Sequence, residues 1–447
     1  MPSASGPRWT RVRSMRVTVA RPSASGKPIA PAMPHTVPTS TKRRGSQARL
    51  YRSYPPSARG GGPWPYTPGV ALDLARWLPK FPVREQCLYL DHAAVAPLPQ
   101  PVAAAMCQRI AEQMASGARE WERWQHSVLA VRTLTAELLR CDPADVSLVR
   151  STSEGLSLVA QGFPWKPGDV VLVGEEEFAA NVAPYLALGE RGVLVQRFPS
   201  PHGRVTADAV RRALGPRVRL VALSWVAFHT GWVAEVEEIA ELAHGQDIAV
   251  VLDAIQGLGV LPATFGELGV DALVADGHKW LLAPEGLGIL VTTPRLRSRL
   301  APVLAGWRNV RRRGDSLFLE RLECHADGRK FEPGSTPSVL VAGLEAALDL
   351  LLEAGPEEVY ERVKANARAI TTVLLESDWE VISPGSGHPI AGIVAGRHPF
   401  LPAQEAVARL RQRRIQTSAR EGFVRFSPHF YTTPGEIEAL AAILKKL

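Results

Sequence analysis

Short apolar runs alternate with longer amphipathic stretches through the middle of this chain. The runs Val218–Ser224 and Ala249–Asp253 are as short and as continuously apolar as parallel strands that are buried on both faces. Between them, residues 234–244 carry apolar side chains at helical spacing. The three segments together predict a β-α-β unit. Further apolar runs that predict strands lie at 146–150, 272–275 and 285–292.

The pattern changes after residue 335. Residues 339–353 and Pro356–Leu375 both show helical periodicity, and they are followed by short strand-like runs and a terminal helix that begins at Pro434. The patterns therefore predict an α/β protein with a β-α-β unit, followed by a C-terminal part of helices and short strands.

Two residues with complementary chemistry stand beside predicted strands. Asp253 ends one strand, and Lys279 follows the next strand 26 positions later. Open α/β sheets bind ligands at the carboxyl ends of their strands. An amine can hold an aldehyde cofactor as a Schiff base, and a carboxylate can keep the ring nitrogen of that cofactor protonated. The pair predicts a pyridoxal-phosphate site, although either residue alone could be a solvated lysine or an ordinary strand-end carboxylate.

Six segments, in this order, resemble the class V aminotransferase family. This family of fold type I pyridoxal-phosphate enzymes also includes cysteine desulfurases, selenocysteine lyases and isopenicillin-N-epimerase-like proteins. The resemblance runs from about residue 89 to the C-terminus. The segments that carry it are 89–97, 151–155, 253–256, 277–280, 330–334 and 424–431.

The resemblance implies the pyridoxal-phosphate-dependent transferase fold type I. It implies a large, mainly parallel-sheet α/β/α domain that binds the cofactor over residues 100–335, and a small α+β C-terminal domain over 336–447. The segment 81–99 is expected to associate with the small domain. It also implies a homodimer whose active site lies at the subunit interface, and an amino acid as the substrate.

The family's roles around the cofactor ring fall on four residues of this chain. Lys279 is expected to form the Schiff base and then to carry the proton at the α carbon of the substrate. Asp253 is expected to pair with the pyridinium nitrogen, and Gln256 to hydrogen-bond the phenolic oxygen. Phe178 is expected to stack on the ring, although it could equally be a core aromatic residue.

The remaining family roles concern the phosphate and the substrate. Thr152, Ser153 and His278 are expected to bind the phosphate, with Thr152 and Ser153 at a helix N-terminus, where they could also serve as helix caps. Ser335 stands where the family often reaches the phosphate of the partner subunit. Arg425 is expected to bind the substrate carboxylate bidentately, unless it is a surface arginine.

Departures from the desulfurase pattern affect the expected reaction. Residues 416–422 contain no cysteine, although desulfurases carry their mobile active-site cysteine there. Phe178 replaces a histidine, Phe228 replaces an asparagine, and Asp276 replaces a serine. These changes favour an aminotransferase, with an epimerase or racemase and a C–S lyase left open. A catalytically silent relative that binds a partner is the alternative outside enzymes.

The positive charge of the chain is confined to its first part. The net charge of the whole chain is +8. The residues before Asp73 include 12 Lys and Arg and no acidic residue, whereas the remainder holds 40 basic and 44 acidic residues. Residues 1–80 are rich in Ser, Pro, Arg and Gly, which predicts a disordered extension. A transit peptide, a nucleic-acid-binding tail and a translation start at Met15 or Met33 also remain open.

The rest of the chain gives no sign of a nucleic-acid or membrane partner. No apolar run approaches the roughly 18 residues that a membrane-spanning helix requires. The four cysteines are far apart and show neither Cys-x-x-Cys pairs nor metal-ligand spacing. We therefore expect a cytoplasmic enzyme without a metal.

Overall fold

The computed structural model describes residues 72–311, 318–385 and 387–447. Its helices are α1 Leu74–Trp77, α2 Gln100–Ser116, α3 Trp121–Leu139, α4 Thr152–Gly162, α5 Ala183–Leu186, α6 Ala207–Ala213, α7 Val236–His244, α8 Phe265–Leu268, α9 Pro294–Arg299, α10 Ser338–Ala354, α11 Pro356–Leu375, α12 Ala403–Gln412 and α13 Pro434–Leu444. None of these helices is long and apolar enough to cross a membrane.

The strands are β1 Leu88–Tyr89, β2 Val146–Val149, β3 Val170–Gly174, β4 Leu194–Phe198, β5 Val218–Ser224, β6 Ala249–Asp253, β7 Ala272–Asp276, β8 Gly288–Thr292, β9 Glu380–Val381, β10 Val394–Arg397, β11 Ile415–Gln416, β12 Ser418–Arg420 and β13 Phe423–Phe426. Seven of them form the central sheet in the order β2-β8-β7-β6-β5-β3-β4. Only β8 runs against the others, so the carboxyl ends of β5, β6 and β7 lie at one edge.

The central sheet is covered on both faces. Along β6, Val250 and Leu252 pack into one apolar core, whereas Ala249 and Val251 pack into a second core. Successive side chains of a strand point to opposite faces, so this strand is buried from both sides. The unbroken apolar runs in the sequence are therefore explained, and the predicted fold type is confirmed.

Most predicted elements have the expected type and place. β5 and α11 have the predicted bounds, and the predicted helix at 234–244 begins two residues later, at Val236. The predicted strand at 285–292 begins only at Gly288, because the residues before it form the turn after Lys279. Its antiparallel direction was not predicted.

A smaller four-stranded antiparallel sheet, in the order β12-β13-β10-β9, forms a separate layer with its own apolar core. The segment 81–99 joins this layer, since β1 pairs in parallel with β11 and Asp91 bridges to Ser427. Helix α10 falls in the predicted small domain, yet it packs against α2 and α3 and shares their core. The change of layer therefore follows α10 rather than residue 335.

Most of the predicted extension 1–80 lies outside the described residues, but its last nine residues belong to the folded body. Trp77 is buried and makes an edge-to-face contact with Phe430, with ring centroids 5.7 Å apart. Phe81 stacks on Tyr431 at 3.7 Å. The prediction of disorder up to residue 80 is therefore wrong from Leu72 onward, because a buried aromatic residue anchors this segment.

Candidate active site

A recess opens at the carboxyl edge of β5 and β6. Five polar or aromatic side chains line its walls: Phe178, Ser224, Asp253, Gln256 and Lys279. Val226, Phe228 and Ile255 complete it. In the parallel register Ser224 lies opposite Asp253, so the two strand ends meet at this edge. The structure thus places four of the predicted site residues around one space.

Asp253 is buried at the end of β6, with 3% of its surface exposed. Burial raises the pKa of its carboxyl from 3.8 to about 6. Two neighbours act in the opposite direction and lower this pKa: the N–H of Ile255, which donates to Oδ1 at 3.0 Å, and the positive charge of Lys279. A buried carboxylate on the floor of a recess favours a cationic partner there.

Lys279 follows β7 by three residues and faces the same space. Burial lowers the pKa of its amine to about 8, while Asp253 attracts the ammonium form and Arg425 opposes it. Nζ lies 6.0 Å from the ring centroid of Phe178. The amine therefore has a substantial neutral fraction near pH 8, which a nucleophile requires.

The amide of Gln256 is oriented by two neighbours. Nε2 donates to the carbonyl of Ala93 at 2.9 Å, and Oε1 accepts from the indole N–H of Trp280 at 2.9 Å. One N–H of the amide remains available to the recess. Ala93 and Trp280 belong to two of the segments that carry the resemblance, so these segments hold the Gln256 amide in its orientation.

Helix α4 begins at the same edge of the sheet. Its N-cap is Ser151, whose side chain accepts from the N–H of Glu154. Ser153 is therefore not the cap, and it is exposed in the first turn. Thr152 is buried, and its Oγ1 accepts from the N–H of Asp276 at 3.0 Å, which leaves the hydroxyl proton of Thr152 to donate.

The carboxylate of Asp276, which the sequence places near an expected phosphate, lies against the ring of His278. Its Oδ1 lies 3.1 Å from Nδ1 of His278. The approach is not aligned for a hydrogen bond, so the contact is electrostatic. The ring of His278 therefore lies against the Asp276 carboxylate, beside the expected phosphate site.

Phe178 stands at the mouth of the recess with 44% of its surface exposed, so it is not a core aromatic residue. Its ring makes an edge-to-face contact with Phe228 at 5.1 Å. The preceding Glu177 was not predicted as a site residue. Glu177 accepts from the N–H and the hydroxyl of Ser224, at 2.7 and 2.6 Å, and from Asn181 at 3.2 Å. These bonds tie the loop that carries Phe178 to the end of β5.

Arg425 lies in β13 with 1% of its surface exposed, so it is not a surface arginine. One terminal nitrogen donates to the carbonyl of Phe228 at 2.7 Å, and the other lies 3.4 Å from Oδ1 of Asp91. Its Nε has no hydrogen-bond partner in the described part of the chain. Burial lowers the pKa of the guanidinium to about 10, against the attraction of Asp91. This buried cation therefore has an unused donor, and it contacts Phe228, a residue that lines the recess.

Two further residues lie apart from this arrangement. Ser335 is exposed in the segment before α10 and does not line the recess, so its expected contact with a partner subunit stays a prediction. Cys324 forms a backbone bridge with Val310 and also lies outside the recess. No group of histidine, cysteine and acidic side chains among the described residues could hold a metal ion.

The residues around the recess fit pyridoxal phosphate. An amine of lowered pKa faces a buried carboxyl across the space, and an exposed aromatic face covers it. The first turn of α4, with Thr152 and Ser153, offers N–H groups and hydroxyls to a phosphate at the same edge. The donor set therefore matches an aldehyde, a ring nitrogen and a phosphate together.

Comparisons with known proteins agree with this fit. The family model for aminotransferase class-V matches residues 88–440. A probable cysteine desulfurase of Methanothermobacter thermautotrophicus is 26% identical over 82% of this chain and 96% of its own length. Isopenicillin N epimerase of Streptomyces clavuligerus is 28% identical over 71% of this chain and 83% of its own length.

Solved structures give the same result for the fold. A mutant of C-DES with glycine covalently linked to the PLP cofactor matches with a TM-score of 0.78 at 24% identity, over 82% of this chain and 98% of that chain. A complex of the cystine C–S lyase C-DES with its product cysteine persulfide matches with a TM-score of 0.77 at 25% identity, over 82% and 99%. The expected cofactor, pyridoxal phosphate, is confirmed for the family. This chain belongs to the aminotransferase class-V family of pyridoxal-phosphate-dependent enzymes.

Proposed function

We propose that this protein is a pyridoxal-phosphate-dependent aminotransferase that acts on an α-amino acid. The observation that carries the proposal is the composition of the recess. Of the described residues that line it, only Lys279 and Asp253 have side chains that exchange protons near neutral pH, and the space holds no thiol. One amine on one face suits a reaction in which a proton is removed and delivered back on the same side of the reacting atoms.

Each side chain has a task that follows from its surroundings. When bound, pyridoxal phosphate supplies an aldehyde carbon and a ring that withdraws electrons from the α carbon of the substrate. Lys279 would provide the amine that holds the cofactor and would carry the proton at the α carbon of the substrate. Asp253 would keep the ring nitrogen protonated, and Gln256 would donate to the phenolic oxygen.

The other residues position the reactants. Phe178 covers the ring face and excludes water from the amine. The hydroxyls and N–H groups of Thr152 and Ser153, with His278, bind the phosphate at the N-terminus of α4. Arg425 binds the α-carboxylate through the donors that its contacts with Phe228 and Asp91 leave unused.

A C–S lyase is the second candidate. The curated relative is named a probable cysteine desulfurase and the solved neighbour a cystine C–S lyase, so sulfur-containing amino acids belong in any substrate test. In this chain a lyase would have to release sulfur without a cysteine from residues 416–422, because that segment contains none. Epimerisation requires proton delivery to the opposite face of the α carbon, for which the described residues that line the recess offer no second base.

The test is to incubate the purified protein with pyridoxal phosphate and record its visible spectrum. We expect a yellow protein in which Lys279→Ala removes the lysine-linked absorbance, whereas the control Lys364→Ala, at a partly exposed lysine that pairs with Glu361, retains it. Amino acids are then added singly, with and without a keto acid, while amino products and sulfide are measured. A wild-type protein that takes up no cofactor contradicts the whole proposal, and sulfide release without amino transfer selects the lyase.

We further propose a cytoplasmic homodimer in which Ser335 contacts the phosphate of the partner subunit. The exposed position of Ser335 just before α10 supports this arrangement. Sedimentation should give twice the chain mass, and Ser335→Ala should weaken cofactor binding without changing that mass. A monomer with full cofactor affinity would contradict the proposal.

A further inference from the structure

A second arginine lies on the same sheet face as Arg425. β12 and β13 pair antiparallel, with Ser418 opposite Arg425 and Arg420 opposite Phe423. Opposed residues of neighbouring strands share a face, and so do residues two apart along one strand. Ser418 donates to Oδ1 of Asp91 at 2.7 Å, and Arg425 contacts the same oxygen. Arg420 and Arg425, the predicted substrate-binding arginine, therefore lie on the same face of the small sheet.

The charge of Arg420 is not balanced by a carboxylate. Its terminal nitrogen donates to the carbonyl of Ala419 at 2.8 Å, and the described residues place no acidic oxygen within ion-pair distance of it. The side chain is partly exposed. By contrast, Asp91 is already engaged by Arg425, Ser418 and Gln416. Arg420 thus keeps most of its five N–H donors for a ligand.

The field of Arg420 reaches the reactive amine. Burial is the main cause of the lowered pKa of both Lys279 and Arg425, and the positive charge of Arg420 contributes to each. The positive charges of Arg420 and Arg425 therefore both oppose that of Lys279, while Asp253 attracts it. An anionic group between Arg420 and Arg425 would relieve this repulsion.

We propose that Arg420 binds the acidic side-chain group of the substrate, so that the substrates are amino acids with a carboxylate or a comparable oxyanion at the distal end. Arg425 would hold the α-carboxylate of the same molecule. A planar guanidinium pairs bidentately with either group. A substrate amide offers one acceptor oxygen and no charge, so the site discriminates against it. This inference rests on the proposed function, since it assumes that Arg425 faces an amino acid.

The test uses the wild-type protein loaded with pyridoxal phosphate, titrated without any keto acid and followed by its visible spectrum. L-Aspartate and L-glutamate are compared with L-asparagine and L-glutamine. We expect the acids to bind at least about tenfold more tightly than the amides, the ratio that one charge-assisted hydrogen bond supplies. Succinate and glutarate, which lack the amine, should bind by calorimetry and compete with the acids.

Variants separate Arg420 from its neighbour. Arg420→Gln should weaken the binding of both acids and both dicarboxylates by about tenfold to a hundredfold and leave the amides within about twofold. Arg420→Lys, which retains the charge without the planar fork, should fall between. Arg413→Gln is the control, because Arg413 is exposed at the end of α12 and its side chain donates to the carbonyl of Arg409.

Three outcomes overturn the inference alone. Equal weakening of acids and amides in Arg420→Gln would place Arg420 on the α-carboxylate, and unchanged binding of the acids in both Arg420 variants would place it outside the site. A wild-type protein whose spectrum responds to neutral amino acids but not to acidic ones would do the same while leaving the proposed function intact. If no amino acid changes that spectrum, the proposed function fails as well.

Discussion

Asp253→Asn should abolish turnover and at the same time stabilise the cofactor-free protein above neutral pH. The carboxyl is buried at the end of β6, and burial raises its pKa from 3.8 to about 6. A group whose pKa is raised on folding binds its proton more tightly in the folded state. Ionising it therefore costs stability, and an amide, which does not ionise, avoids that cost.

The size of the effect follows from the shift. Two pKa units correspond to about 3 kcal/mol. The cost is absent below pH 3.8, grows as the pH rises toward 6 and is complete above it, with about half of it accumulating between pH 5 and pH 8. The attraction of Lys279 lowers the pKa of Asp253, so the same substitution in a Lys279→Ala background should give a larger gain.

The assay is urea unfolding of the cofactor-free wild type and variant at pH 5 and pH 8. Any cost of burying the amide itself is the same at pH 5 and pH 8. The change, between these two pH values, in the stability difference between variant and wild type therefore reports only the ionisation of Asp253. Asp247→Asn, at an exposed carboxylate, is the control and should show no such change. The reasoning is refuted if the advantage of Asp253→Asn over the wild type fails to grow between pH 5 and pH 8.

Three further predictions concern binding, packing and the chain start. Arg425→Ala should weaken the binding of any α-amino acid to the cofactor-loaded protein by about 2 to 5 kcal/mol, measured by spectral titration; an unchanged affinity would remove it from the site. Gly257→Ala should lower the stability by about 1 to 3 kcal/mol in thermal unfolding, because its Cβ would lie 2.5 Å from an indole ring, whereas Gly266→Ala meets no atom within 4 Å and should not destabilise. Deleting residues 1–71 should leave stability and cofactor binding unchanged, but Trp77→Ala should cost about 3 to 5 kcal/mol; equal losses would mean that the first part of the chain contributes to the fold.

The elements that the sequence predicted well are those whose identity depends on local pattern. β5, β6 and α11 agree with their predicted bounds, because an uninterrupted apolar run or a long helical period leaves few alternatives. Lys279 and Asp253 could be joined because strands β6 and β7 are neighbours in both sequence and space. The chemistry of the recess therefore followed from one short stretch of chain.

What the sequence did not predict depends on contacts between distant segments. The reversed direction of β8 is set by its neighbours β2 and β7 and not by its own residues. Glu177 stands in a run of three glutamates that reads as a solvated surface, yet it is held by Ser224, 47 residues later. Its position just before Phe178, a predicted site residue, was the only local signal. Asp91 belongs to a recognised segment, but its pairing with Arg425 required the fold.

The pairing of β1 with β11 has a consequence for how the chain folds during its synthesis on the ribosome. The contact between Asp91 and Arg425 spans 334 residues of sequence, so the arginine that we propose to bind the substrate meets Asp91 only when almost the whole chain has emerged. Every strand of the central sheet, with Asp253 and Lys279, is synthesised before that point. A nascent or prematurely ended chain therefore contains every residue that lines the predicted cofactor recess before it contains the arginine that we propose to hold the amino acid.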